Sequence, residues 1–405
     1  MRRLFFVSLL LPLAVVGGLG AETSVTEERF LDAIPDSHPA ARARAGDLGA
    51  AEAENRRARL LSDPQLEIGR EELETVERET TWSVAWAPPI DGRRRWSIRA
   101  TEAAVEAEES LLAARLLDLR REGREAYADW ALGEARVELL NEHTSRVEAL
   151  AERMQRRAEA GEESRLDAGR LAIAHQVAVG ALSQARAAAA RSRSLAAVWP
   201  IDESLDFSSA RAELPGLPEV QTGLGPALLP DLRAARSRVD QAAAIERHSR
   251  RVISAPEISL GWKRVEATDT ELDGPVVAVS WTLPVLDRRR ADRMAAQSAV
   301  AAAQAHQDWV TRRAATDLAA AVAGYAGLRE AAFSARSSRA NLDAVALAAT
   351  AAFERGESTV TDLLDSLRAV VEARLQALDL YFTALEAHRQ LEVAAGLPLT
   401  SGDLS

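Results

Sequence analysis

The chain has no cysteine among its 405 residues, which excludes disulfides, thiol chemistry and a lipidated cysteine at a mature N-terminus. Aromatic residues make up only 4%, while alanine is abundant, so the interior is expected to be helices packed closely on small side chains. The net charge is −11 with no dominant basic stripe, which argues against a nucleic-acid partner. Past the N-terminus no apolar run is long enough to span a membrane as a helix. Catalytic signals are missing too. His38, His143, His175, His248, His306 and His388 are scattered, with no pair at metal-ligand spacing on one helix face. There is no glycine-rich phosphate loop and no nucleophile motif, so neither an enzyme nor a cofactor or metal site is expected. Proline is absent from 90–199 and from 285–397.

What is present begins with a targeting segment. Arg2 and Arg3 precede an apolar run from Leu4 to Leu19, and Gly18, Gly20 and Ala21 offer cleavage, so residues 1–21 read as a secretory signal peptide. Beyond it the chain repeats itself. Gly161, Glu162, Ser164 and Asp167 recur as Gly356, Glu357, Thr359 and Asp362, an offset of 356 − 161 = 195. Trp86 and Pro89 recur as Trp281 and Pro284, and Pro64-Gln65-Leu66-Glu67-Ile68-Gly69 as Pro256-Glu257-Ile258-Ser259-Leu260-Gly261. The unit is about half the chain, far longer than a solenoid repeat. The expected organisation is a first repeat over 22–199, a proline-rich linker over 200–229, a second repeat over 230–398 and a tail over 399–405.

Because proline breaks helix interiors, each proline-free tract predicts a helical hairpin. Its turn lies at Gly161 or Gly356, where a glycine C-cap precedes a Ser or Thr N-cap. The predicted arms are about 65 and about 37 residues, the longer one reaching about 100 Å. Leu364, Leu367, Val371, Leu375, Leu378, Phe382 and Leu385 supply the packing seam of the last arm.

Four short segments have period two instead, near 64–72, 80–88, 256–264 and 276–284. In the last, Val277, Val279, Trp281 and Leu283 alternate with Ala278, Ser280 and Thr282, as in a strand with one apolar and one polar face. Trp82, Trp86, Trp262 and Trp281 fall on these strands, as aromatics at a lipid boundary do. A soluble hairpin packed on a helix has the same alternation. The acids Glu71 to Glu79 and Glu266 to Asp273 are expected in exposed loops between strands. Lipid tolerates no open sheet edge, and four strands cannot close a barrel when the smallest has about eight, so several copies are expected to share one.

Phe353-Glu354-Arg355-Gly356-Glu357-Ser358 leading to Asp362-Leu363-Leu364-Asp365, then Tyr381, Leu385, Leu391 and Gly396, resemble the TolC-like outer-membrane efflux proteins, as do Pro256 to Gly261 and Leu283-Pro284-Val285-Leu286-Asp287-Arg288. The resemblance runs from near Thr26 to Pro398. It departs where the family reads Asn-Pro-x-Leu and this chain has Ser37-His38-Pro39-Ala40, and in the more acidic first tip. The resemblance implies a mainly α protein with a small β part. Long antiparallel coiled-coil hairpins would sit in two structural repeats, and a homotrimer would pool four strands per protomer into a twelve-stranded outer-membrane barrel over a periplasmic helical tunnel. It further implies a passive exit duct of a tripartite pump, in contact with outer-membrane lipid. Gly161, Glu162, Arg355, Gly356 and Glu357 would form tips that meet a periplasmic adaptor (membrane fusion protein) serving an inner-membrane pump. Asp362 and Asp365, one helical turn apart, would face the periplasmic mouth as a gate. Type I protein secretion and a pore-less periplasmic coiled coil remain as alternatives.

Overall fold

The computed structural model describes residues 24–73, 76–200, 207, 210–219, 229–267, 270–284 and 288–396. The expected signal segment, the tail and most of the 200–229 linker lie outside these residues. In chain order the elements are β1 (Ser24–Val25), α1 (Glu27–Asp32), α2 (Pro39–Arg59), β2 (Gln65–Leu73), β3 (Val76–Trp86), α3 (Arg93–Glu159) and α4 (Arg165–Ala196). They continue with β4 (Arg211–Ala212), α5 (Pro230–Ser249), β5 (Glu257–Ala267), β6 (Thr270–Ser280), α6 (Arg290–Ser337), α7 (Arg339–Glu354) and α8 (Val360–Ala395). The protein is thus mostly helical with a small antiparallel sheet. It divides into two compact units, one from 1–34 with 126–215 and one from 35–125 with 216–405, so the units do not follow the repeat boundary.

In the first unit the later part of α3 packs against α4. Small residues set the spacing: a Cβ on Gly133 would lie 2.9 Å from the Ala189 Cα, so only glycine admits so close an approach. Val147, Leu150, Met154, Leu171 and Leu182 are buried along the hairpin. The two-residue strands β1 and β4 pair in parallel. The Tyr127 hydroxyl lies 2.7 Å from both the Val25 and the Glu213 carbonyl oxygens. Burial raises its pKa well above the usual phenol value, which keeps it a donor.

In the second unit α6 packs on α5 and α8, and α7 on α8. The expected single arm of about 65 residues is broken: α6 has 48 residues and α7 has 16, separated by Ser338. The Ser337 and Ser338 hydroxyls both donate to the Ser334 carbonyl, at 2.7 and 3.2 Å, and such back-bonding competes with the helix ladder and bends it. The counterpart α3 is continuous over 67 residues. The seam also differs near the tip. There α8 buries Val360, Leu363, Leu367 and Val370, one position away from the expected Leu364 and Val371, which are half-buried.

Farther along α8 a polar cluster is buried. Arg124 donates to Glu392, and the His388 Nδ1 lies 3.8 Å from a Glu392 oxygen. The His388 ring meets Tyr325 edge-on at 4.9 Å. Tyr325 in turn donates to the Pro218 carbonyl, as does Arg329 at 2.8 Å, which ties the incoming linker to α6. Burial first, then the charges of Arg124 and Arg389, lower the His388 pKa to about 4.

The sheet has strand order β2-β3-β5-β6, every neighbour antiparallel. The acids expected in loops are mostly on strands: Glu71 and Glu72 end β2, Glu77 and Glu79 begin β3, Glu266 lies on β5, and Glu271 and Asp273 on β6. The pairing register continues through them, as in Glu71 with Glu79 and Glu266 with Glu271. Cross-strand ion pairs explain why charge does not unzip the ladder: Glu79 with Lys263, Arg78 with Glu266 at 3.6 Å and Arg264 with Glu271 at 3.1 Å. Glu74 and Asp269 lie outside the described residues.

Two outcomes follow. A Cβ on Gly261 would fall 2.4 Å from the Trp82 carbonyl oxygen, whereas Gly69 has open space around it. Gly261→Val is expected to break the β3–β5 pairing and abolish the protease-resistant folded form, and Gly69→Val to leave it intact. Between pH 6.5 and 4 the unfolded chain binds a proton that folded His388 refuses, so stability rises with pH there. Acidification from pH 7 to 4 is expected to cost up to about 3 kcal/mol from this group, and His388→Gln to flatten the pH dependence of the melting temperature.

Candidate functional site

The first candidate surface is the sheet. Its register aligns apolar residues in rows across the strands: Trp86, Ile258 and Val279; then Leu66, Val84, Leu260 and Val277; then Ile68, Trp82, Trp262 and Pro275. Trp82 stands directly opposite Trp262, which joins the two repeats at their centre. The opposite face carries Glu67, Ser83, Glu79 and Lys263. The apolar rows are uncovered: Leu66 is 68%, Leu260 60% and Val277 68% exposed. A soluble hairpin sheet would bury that face against a helix, and no element among the described residues does so. An uncovered apolar face of this width needs a non-aqueous neighbour.

The chain enters and leaves the sheet through a clasp that sequence reasoning missed. The Trp86 Nε1 donates to the Ser62 carbonyl at 3.1 Å, and the Ser62 hydroxyl donates to the Ala87 carbonyl at 3.3 Å. In the second repeat Trp281 donates to the Ser254 carbonyl at 2.9 Å, and Ser254 to the Thr282 carbonyl at 3.4 Å. Trp281 therefore stands just past β6, which ends at Ser280, rather than on the strand. The signal was available: Ser62 and Ser254 keep the same offset, 254 − 62 = 192, as Pro64 and Pro256. Both clasps leave the indole faces free while satisfying the polar N–H, the arrangement an interfacial tryptophan needs.

The second candidate is the pair of hairpin tips, whose glycine turns have matching backbone hydrogen bonds. Gly161 has φ 79° and Gly356 φ 74°. The Gly161 N–H donates to Ala158 at 3.2 Å and the Glu162 N–H to Arg157 at 2.9 Å. The Gly356 N–H donates to Phe353 at 3.0 Å and the Glu357 N–H to Ala352 at 2.9 Å. Both are Schellman caps. Ser164 then caps α4, and Thr359 caps α8. The side chains differ: Arg355 grips Glu357 at 2.9 Å through two nitrogens, whereas Arg157 reaches Glu163 at 2.9 Å and Glu162 at 3.7 Å.

The acids of the second tip separate into two environments. Asp362 completes a capping box, accepting from the Thr359 N–H at 3.0 Å and hydroxyl at 2.6 Å. Those bonds hold its pKa below the usual carboxylate value. Asp365, one turn on, is exposed, and no ion pair reaches it among the described residues. Leu363 and Leu367 take the buried side. Also among the described residues, no group of three His, Asp or Glu side chains is placed to hold a metal, and no helix is long and apolar enough to cross a membrane.

Known proteins share this architecture. No family model matches the chain. The cobalt-zinc-cadmium resistance protein CzcC of Cupriavidus metallidurans is 26% identical over 352 residues, 83% of this chain and 81% of that protein. The outer-membrane channel OprN superposes with a TM-score of 0.76 at 19% identity, covering 92% of this chain and 90% of its own. The outer membrane protein VceC of Vibrio cholerae gives 0.75 at 16% identity, covering 92% and 97%. The chain has the TolC-like outer-membrane channel fold. Solved outer-membrane channels share this fold, and the uncovered apolar sheet is the part suited to a non-aqueous neighbour.

The TolC-like tips give a local test. A side chain on Gly356 would touch nothing within 4 Å, so the cost of Gly356→Val is conformational, about 1–2 kcal/mol for a left-handed L-residue. Hydrogen exchange across 352–359 is expected to accelerate about tenfold, and Gly356→Asn, which tolerates positive φ, to stay near wild type. Unchanged protection in the valine variant would overturn the tip assignment.

Proposed function

We propose that the protein is the exit duct of a tripartite efflux pump, a homotrimer that passively conducts cargo from an adaptor and an inner-membrane pump across the periplasm and outer membrane. The observation that carries this reading is the sheet: four strands with an uncovered apolar face and two edges, β2 and β6, unpaired in the described chain. In lipid each unpaired backbone group costs several kcal/mol. All neighbours in the order β2-β3-β5-β6 are antiparallel, so β6 of one copy can continue antiparallel onto β2 of the next. Three copies make a twelve-stranded barrel, in which Lys263 and Glu79 line the lumen and Trp82, Trp86, Trp262 and Trp281 meet lipid. The reaction class is transport rather than catalysis. The energy comes from the pump.

The tips, with Gly161, Glu162, Arg355, Gly356 and Glu357, are the adaptor contacts. The gate is the turn bearing Asp362 and Asp365, repeated three times around the periplasmic mouth. Asp362 is committed to its helix cap and stays ionised there, while Asp365 is exposed, so both carboxylates contribute to the field that attracts cations. CzcC is by name a cobalt, zinc and cadmium resistance protein, which makes divalent metal cations the first cargo to examine.

Planar-bilayer conductance tests the gate. A ring of like charges attracts counter-ions and repels co-ions, so the duct is expected to be cation-selective and blocked by trivalent cations. Asp365→Asn should reduce both properties with the fold intact, and Asp362→Asn should in addition loosen the start of α8 by about 1 kcal/mol. Unchanged selectivity and block in the double variant would place the gate elsewhere.

A further inference from the structure

The chain leaves its sheet through arginine, twice and at one spacing. Seven, eight and nine residues after Trp86 stand Arg93, Arg94 and Arg95, and at the same distances after Trp281 stand Arg288, Arg289 and Arg290. These triplets open α3 and α6. Positive charge at a helix N-terminus opposes the macrodipole; at α3 one acid, Asp91, accepts from the Arg93 N–H at 3.0 Å and lies 3.5 Å from its guanidinium, and the first turn holds no other. The triplets also crowd each other. Burial and then Arg289 lower the pKa of Arg93, and burial followed by Arg93 and Arg289 lowers that of His248 on α5.

Beside them Trp96, only 8% exposed, is surrounded by guanidinium groups. Those of Arg95, Arg247 and Arg99 lie 4.6, 4.9 and 5.6 Å from its ring centroid. All three arginines are exposed, and none has a carboxylate within ion-pair distance among the described residues. Cation–π attraction holds each one on the indole, but three like charges around one ring repel one another unless an anion joins them.

The cluster adjoins the lipid-facing sheet. Arg94 donates to the Arg59 carbonyl, three residues before the Ser62 that receives Trp86. Arg93 donates to the Val252 carbonyl at 3.0 Å, two residues before the Ser254 that receives Trp281. The ligand thus needs an anionic head next to an apolar body. We infer that this arginine collar binds the phosphate groups of anionic phospholipids in the leaflet facing the helices, their acyl chains lying against the apolar rows that end at Trp86 and Trp281. Guanidinium forks match phosphate oxygens in pairs. The inference rests on the reading that the sheet spans the membrane.

The experiment uses the full chain reconstituted in nanodiscs of phosphatidylcholine with increasing phosphatidylglycerol, followed by mass spectrometry of the lipid that stays bound after detergent transfer. Wild type is expected to enrich phosphatidylglycerol about tenfold or more over its share of the disc, at roughly fivefold per neutralised charge. The triple variant Arg95→Gln, Arg99→Gln, Arg247→Gln should bring the enrichment down to near parity, and the triple lysine variant at the same positions should keep most of it. Equal enrichment in wild type and the glutamine variant overturns the proposal, as does displacement of the lipid by millimolar inorganic phosphate, which would make free phosphate the ligand. Loss in the lysine variant equal to that in the glutamine variant would mean packing on Trp96 rather than charge, and also overturns it. A wild-type chain that fails to insert even into neutral discs refutes the membrane reading itself, whereas one that inserts and conducts without lipid enrichment refutes only the collar.

Discussion

Backbone hydrogen bonds at a sheet edge are the constraint on which this molecule turns. Water will satisfy an unpaired N–H or C=O, and hydrocarbon will not. The sheet order leaves β2 and β6 as edges, and its apolar face has no cover. In the proposed duct one chain is an unfinished object, and completion by identical copies follows simply, because the even number of strands lets the seam obey the same antiparallel rule as the interior. Side chains then choose which way the wall faces, and the charge pair nearest the hairpin turns on the apolar face, Arg78 with Glu266, marks where the apolar band stops.

The two repeats solve the same local problems with the same bonds and diverge where packing differs. The Schellman caps at Gly161 and Gly356 and the tryptophan–serine clasps at Trp86 and Trp281 are duplicates. The helical arms are not: α3 runs unbroken, whereas serines 334, 337 and 338 interrupt its counterpart. The close approach needed at Gly133 also has a glycine of its own, with no room for a methyl group. The two halves thus agree more closely at the ends of their elements than in their middles.

Much of this could be read in the sequence, because its signals are local. Proline-free tracts marked the long helices, a glycine followed by a Ser or Thr marked the turns, and alternation at Val277, Val279 and Trp281 marked a strand or its immediate end. What was missed depends on contacts between distant segments. The acids from Glu71 to Glu79 look like a loop until Lys263 and Arg78 are seen pairing across the strands. The bend at Ser338 required knowing that two hydroxyls would choose one carbonyl. The buried Arg124, Glu392 and His388 are 268 residues apart at their widest, and no periodicity connects them. The turns at Gly161 and Gly356 were legible by residue, while the capping duty of Asp362 appeared only with its geometry.

The tip is self-contained. The hydrogen bonds that shape the second turn run between Ala351 and Asp362, and a side chain added to the glycine at its apex would meet open space. Such a turn is a detachable module. Its outward residues, Arg355 and Glu357 among them, can be exchanged without renegotiating the packing of the helices below, so the chemistry displayed at the end of the hairpin can change while the hairpin itself stays put.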